Sequence, residues 1–180
     1  MSRSTEKSSR LLMIRRDLED IPEFPVPAGF ALRWYQPGGE AFWLTIHKLA
    51  DHYNQITPEL FAHQFGTDSA LLAERQCFLF DPSGQAIGTA SAWFDNHFGG
   101  ARNGRVHWVA LVPQCQGRKL SKTLMTAVCR RLRELGHDRA YLTTLAARRP
   151  AIQLYLRFGF VPLIRNEIER AVWGQVLPPQ

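Results

Sequence analysis

The stretch VPQCQGRKLS (residues 112–121) separates a strand-like run, RVHWVALV (105–112), from a helical one. The run before it is rich in β-branched and aromatic residues, which suit a pleated strand. After it, Leu120, Leu124, Ala127, Val128, Leu132 and Leu135 recur at helical spacing, and Gly136 marks an end. A strand that enters a helix through so short a turn leaves the first helical amides without intrahelical partners. The helix dipole places partial positive charge at the same point. Such an end suits a phosphate. Gly117 lets the backbone turn and approach a ligand, and Arg118, Lys119 and Lys122 add full charges. The Walker pattern and the dinucleotide fingerprint are both absent. An ordinary strand–turn–helix with a basic start fits the same residues, so the stretch alone leaves both readings open.

Outward from this point the chain alternates. Downstream, RAYLTTLA (139–146) predicts a strand, and RPAIQLYLRFGF (149–160) a helix with Pro150 near its start and Gly159 past its end. FVPLI (160–164) and ERAVWGQVL (169–177) predict two last strands. Upstream, FALRWY (30–35) alternates as a first strand, and Phe42, Ile46, Leu49, Ala50 and Tyr53 mark a helical face. Thr57-Pro58 starts a further helix that Gly66 stops, and SALLAERQ (69–76) predicts another. Residues 77–80 and 86–94 predict a hairpin about DPSG (81–84), followed by a loop over 95–104. The order predicts a single α/β domain over 29–180, with a mixed, mostly antiparallel sheet of about seven strands flanked by helices. Residues 1–28, polar at first and then proline-rich, predict a flexible or extended arm.

Composition narrows the function classes. The net charge of +6 fits a polyanionic ligand but does not separate a nucleotide cofactor from nucleic acid. No nucleic-acid motif is present, so nucleic acid is not expected. No apolar run reaches the roughly 18 residues of a membrane span, and no signal segment opens the chain. Three cysteines, an odd number, argue for a reducing cytoplasm. His47, His52, His63 and His137 follow no metal-ligand spacing, so no metal is expected.

Two motifs at the usual separation resemble the GNAT superfamily of N-acetyltransferases, over about residues 104–164. Gln114, Cys115, Gln116, Gly117 and Arg118 follow its phosphate-loop pattern, and Ala151, Ile152, Leu154, Tyr155, Gly159 and Phe160 match its second motif. The chain departs from the pattern at Lys119 and Ser121, where small residues are usual, and at Arg148, where asparagine is common. The resemblance implies a sheet splayed at a cofactor groove, with acetyl-CoA as cosubstrate. Amides of Gln116, Gly117, Arg118, Lys119, Leu120 and Ser121 would take the pyrophosphate. Ala110, Leu111 and Val112 would offer main-chain groups to the pantetheine arm.

The same resemblance implies transfer of acetyl to a primary amine by direct attack in a ternary complex. Tyr155 would be the general acid toward the leaving thiolate. The family's strand glutamate is missing, which leaves His107 as a candidate base, with Asp95 and His97 as rivals. Because alanine also serves at the position of Lys119 in the family, small size rather than unusual φ is the expected demand there. The Lys119 ammonium either meets phosphate from the cofactor edge or blocks close approach. Arg148, with Arg149, either faces a CoA phosphate or is a solvated helix start. The acceptor would be a small molecule or a peptide, and Trp43, Tyr53, Phe61, Phe65, Trp93 and Phe98 would supply core or pocket wall. The protein would be a monomer or homodimer. A CoA-binding sensor without turnover is the alternative these departures support.

Overall fold

The structure is a computed structural model, and it describes residues 9–100 and 102–177. Its elements are β1 (Arg10–Arg15), β2 (Ala31–Trp34), α1 (Gly39–Ala50), α2 (Pro58–Phe65), α3 (Ser69–Arg75), β3 (Gln76–Phe80), β4 (Ala86–Asp95), β5 (Asn103–Leu111), α4 (Leu120–Glu134), β6 (Ala140–Leu145), α5 (Arg149–Arg157), β7 (Val161–Pro162) and α6 (Glu167–Val176). The strands form one seven-stranded sheet in the order β2-β3-β4-β5-β6-β1-β7. Among the described residues, β5 and β6 are the one parallel pair. The expected α/β architecture is therefore the one observed.

Local signals explain most of the elements. Thr57 caps α2 by accepting from the Leu60 N–H, with Pro58 in its first turn. Asp68 caps α3 through the N–H groups of Ala70 and Leu71. On α4, Leu120, Leu124, Val128 and Leu132 are buried against the sheet, and Gly136 follows at φ 78°. At that angle a side chain would be strained, which is why glycine ends this helix. No helix among the described residues is long and apolar enough to cross a membrane.

Three expectations are corrected. The arm predicted over 1–28 contains a strand: Arg10–Arg15 pairs with β6 along its whole length and with β7 on its other edge. Leu11 and Met13 are buried, but residues 11–14 are continuously apolar and Arg15 shares the buried face, so no alternation shows. Residues 1–8 of the predicted arm lie outside the described residues. Of the face predicted for α1, Ile46 is buried, together with Trp43 and His47, while Phe42 and Leu49, and Tyr53 just past the helix, are 43–54% exposed. Apolar residues occur on two sides of this helix, and burial of the large Trp43 ring goes with the other side. Residues 169–176 of the predicted strand 169–177 are helical in α6, and Leu177 is its C-cap. Asn166 accepts from the Glu169 N–H at its start, acidic residues fill its first turn, and Trp173 and Val176 face inward.

Two irregularities of β5 position the site. Its ladder with β6 consists of Gly104↔Ala140 and Arg105↔Tyr141, and beyond these the two strands part. Against β4 its register slips by one residue, so that Trp108 and Val109 together oppose Ala90. Trp108 stands in this bulge at φ 48°, a left-handed conformation that a bulky residue adopts only under constraint.

Candidate active site

Where β5 and β6 part, a groove of about 740 Å³ opens, lined by both strands, the α4 entry turn, the start of α5 and the end of α1. One end is the turn that precedes α4. A short 3-10 turn (Pro113–Cys115) consumes the Cys115 and Gln116 N–H groups in bonds to Val112 and Pro113. Among the described residues, the N–H groups of Gly117, Arg118, Lys119, Leu120 and Ser121 make no backbone hydrogen bond of good geometry. Five amides without backbone partners at a helix start form a concave, positively polarised cradle. A Cβ built on Gly117 would meet nothing within 4 Å, so its φ of 75°, not crowding, calls for glycine.

Lys119 caps α4 at φ 65°, ψ 5°. This corrects the expectation that the position demands only small size: here the chain requires a left-handed residue, at a lysine's expense. Of the three nearby cations, only Lys119 lines the groove. Arg118 stacks over the Phe30 ring at 5.6 Å and Lys122 over Phe24 at 4.6 Å. Leu120 and Val112 have buried side chains, so only their main chains bear on a ligand. The Val112 N–H is already bonded to the Ile87 carbonyl. In antiparallel pairing that bond turns the N–H and C=O of Leu111 toward the gap beside β6. The Leu111 carbonyl accepts from the Gln116 amide at 3.0 Å, which leaves the Leu111 N–H on that open edge. Ala110 and Ser121 line the groove as well.

The cradle, the open strand edge and the gap fit an extended ligand with a diphosphate at one end and amide groups along its arm, as acetyl-CoA has. Unpaired strand edges and free helical amides are otherwise unfavourable when shielded from water.

Tyr155 projects from α5 into the groove and is 8% exposed. Its hydroxyl has no hydrogen-bond partner among the described residues. Burial pushes its pKa up to about 12, against the opposing charge of Arg148. It is a neutral phenol with a proton to give.

The far wall joins residues distant in sequence. Gln64 on α2 accepts from the Trp108 indole N–H at 3.0 Å and contacts His107 Nε2 at 3.1 Å through the same Oε1. Because indole only donates, the Gln64 oxygen must face both rings, and His107 therefore carries its hydrogen on Nε2. Its lone pair is on Nδ1. Burial first, then the charges of Arg105 and His47, hold His107 well below the usual imidazole range.

His47, which sequence spacing gave no role, also lines the groove and is 2% exposed. Its ring packs on Trp43 at 4.4 Å and on Trp108 at 5.0 Å. One nitrogen lies near the Trp108 carbonyl, but neither nitrogen makes a hydrogen bond of good geometry. Burial drives its pKa down to about 4, although Asp51 pulls the other way. Asp51, just past the end of α1, accepts from the N–H groups of Tyr53 and Asn54, the Asn54 amide and Arg148 Nη2. Burial alone would raise its pKa, but these bonds and the Arg148 charge outweigh it and hold the carboxyl low. Arg148 is therefore not a plain solvated residue: it lines the groove and is ion-paired with Asp51 through Nη2.

Of the aromatic set, Trp43, Phe61, Phe65 and Trp93 pack mutually as core, and Tyr53 alone of the six lines the groove. Phe98 stacks on Tyr141 at 3.9 Å. Asp95 accepts from the Tyr141 hydroxyl and from the His97 and Phe98 N–H groups, and neither Asp95 nor His97 lines the groove. Among the described residues no three His, Cys, Asp or Glu side chains converge as a metal site.

Known proteins give the same picture. The Acetyltransferase (GNAT) family profile matches residues 29–160. A mycothiol acetyltransferase of Salinispora tropica is 34% identical over 162 residues, covering 83% of this chain and 51% of that protein. One of Pseudarthrobacter chlorophenolicus is 30% identical over 152 residues, covering 78% and 45%. The chain thus spans about half the length of the curated relatives it matches. Among solved structures, a GCN5-related N-acetyltransferase from Sphaerobacter thermophilus superposes with a TM-score of 0.69 at 21% identity, over 86% of this chain and 48% of that one. The ribosomal-protein-S18-alanine N-acetyltransferase of Escherichia coli gives 0.60 at 17%, over 75% and 79%. With the amide cradle, the splayed strands and the matching profile all within residues 29–160, the chain belongs to the acetyltransferase (GNAT) family.

Proposed function

We propose that the protein transfers an acetyl group from acetyl-CoA to the primary amine of a small molecule, by direct attack within one ternary complex. The observation that carries this reading is the run of five unbonded amides, Gly117 to Ser121, at one end of a groove that also exposes the buried Tyr155. The names of the curated relatives support a small-molecule acceptor ahead of a peptide.

Acetyl-CoA supplies the activated acyl carbon and a thiolate leaving group. The chain's residues do the rest. The amides of Gly117 to Ser121 and the Lys119 ammonium hold the phosphates, and the Leu111 edge aligns the arm. Holding amine and thioester together contributes much of the rate. As the N–C bond forms and the C–S bond breaks, the amine loses one proton and the sulfur gains one. Tyr155 donates the latter. The former passes to water beside His107 Nδ1 and His47, which form a neutral imidazole wall. With both histidines uncharged, the wall favours an amine that arrives unprotonated.

Release of free CoA thiol from acetyl-CoA, measured over a panel of primary amines, tests the reading. Amine-dependent release with mass-verified acetylated product supports it. Tight CoA binding with no transfer to any amine replaces it with a sensor.

A further inference from the structure

We propose that the acceptor amine also carries an acid group, a carboxylate or a phosphate, and that Arg105 is the residue that reads it. This rests on the acetyl-transfer reading and names the substrate class for that same groove.

The charges lining the groove are unbalanced: four cations, Arg10, Arg105, Lys119 and Arg148, face a single carboxylate, Asp51. Three of the four are accounted for. Lys119 belongs to the phosphate cradle. Arg10 pairs in register with Leu145, the last residue of β6, and so sits toward the same end. Arg148 is neutralised by Asp51 at 2.9 Å.

Arg105 has no such partner. It stands at the point where β5 and β6 part, opposite Tyr141. It is six residues along β5 from Leu111, about 20 Å at strand rise, so the cradle's phosphates do not account for it. Directly across from Trp93, it shares the face that α2 covers, the face of His107 and Gln64. Its guanidinium lies over the Tyr141 ring at 5.6 Å and makes no ion pair within 4 Å among the described residues. Its Nε is buried without a hydrogen-bond partner among the described residues. Asp95, the carboxylate that feels its charge, has already given its oxygens to Tyr141 and to two N–H groups.

A partly buried cation with an unused donor is unfavourable unless an anion completes it. Guanidinium matches the planar geometry of carboxylate and phosphate. The cofactor's phosphates are bound at the opposite end, so the anion that meets Arg105 belongs to the acceptor. The same field lowers the pKa of a bound ammonium, which favours the nucleophilic free amine.

Matched pairs of amines test this: L-serine against ethanolamine for the carboxylate, and glucosamine 6-phosphate against glucosamine for the phosphate. Initial rates of CoA release give kcat/KM for each. The expected result is a preference of about tenfold or more for the acid-bearing member of one pair, the scale of a charge-assisted hydrogen bond. Arg105→Met abolishes that ratio, and Arg105→Lys retains part of it. A ratio of one or less in both pairs overturns the proposal, as does a preference that survives Arg105→Met. Should that variant fail to fold, Arg105→Gln replaces it. If no amine releases CoA, calorimetric titration of the same four amines into the CoA-loaded protein decides. Arg105-dependent binding of an acid-bearing amine upholds the inference while the transfer reading fails. Binding without acid preference, or no binding, overturns it.

Discussion

Arg148, at the start of α5, donates to Asp51, at the end of α1, at 2.9 Å across the groove. Ninety-seven residues separate them in sequence. The bond ties the helix that carries Tyr155 to the helix that carries His47. It links the Tyr155 side of the groove to the imidazole side.

Asp51→Asn breaks that tie and leaves Arg148 without its counter-charge. The expected loss of stability is about 1–3 kcal/mol, read by denaturant unfolding. Asp51 is held below the usual carboxylate range, so its contribution is complete above that range and fades as pH falls through its lowered pKa. An unchanged unfolding midpoint would show that the pair does not couple the two helices.

Lys119 at φ 65° weighs its charge against its backbone. Lys119→Gly removes roughly 1 kcal/mol of left-handed strain but also removes the only cation of the turn that lines the groove. The expected outcome is an equal or higher melting temperature with CoA bound about threefold to tenfold more weakly, the difference shrinking at high salt. A clear gain in CoA affinity would mean that the side chain obstructs the cradle.

Tyr155→Phe keeps the packing of α5 and removes the proton. Turnover is expected to fall by about a hundredfold or more, with CoA affinity within a few-fold of the parent. Because burial raises the phenol to about 12, the parent's activity should show no loss from this group below about pH 11. Unchanged turnover in the variant would remove Tyr155 from the chemistry.

His47 links stability to pH. Burial lowers its folded pKa to about 4 from an ordinary 6.5, so between those values the unfolded chain binds more protons. Stability should therefore fall as pH drops through that window, by up to about 3 kcal/mol, and His47→Gln should flatten the slope. With His107 also held low, kcat/KM should show no inflection near pH 6.5 and should rise at higher pH as the acceptor amine deprotonates. A rise centred near 6.5 would return a titrating histidine to the mechanism.

What was legible in the sequence was local. Gly117 and the basic turn, the Leu120–Leu132 face, Pro150, Gly159 and the hairpin about Asp81–Gly84 each report the conformation of a few neighbouring residues. Those elements occur where their patterns put them. The strand at Arg10–Arg15 escaped because residues 11–14 are continuously apolar and the third residue on its buried face is a charge, Arg15, so no alternation shows. The wrong face of α1 was chosen because Phe42 and Trp43 offer two apolar sides, and burial against β4 and β5 selects one.

By itself, the sequence determined the family, the α/β class and the strand–turn–helix around Gly117, since backbone geometry and helix polarity follow from residues adjacent in the chain. Only the tertiary structure decided which polar groups share the groove. Asp51 meets Arg148, Gln64 meets both His107 and Trp108, and Arg105 is left without an ion pair within 4 Å among the described residues because of strand register, a one-residue bulge and helix packing. Such pairings depend on where distant segments are brought to rest against one another, and no local period encodes that.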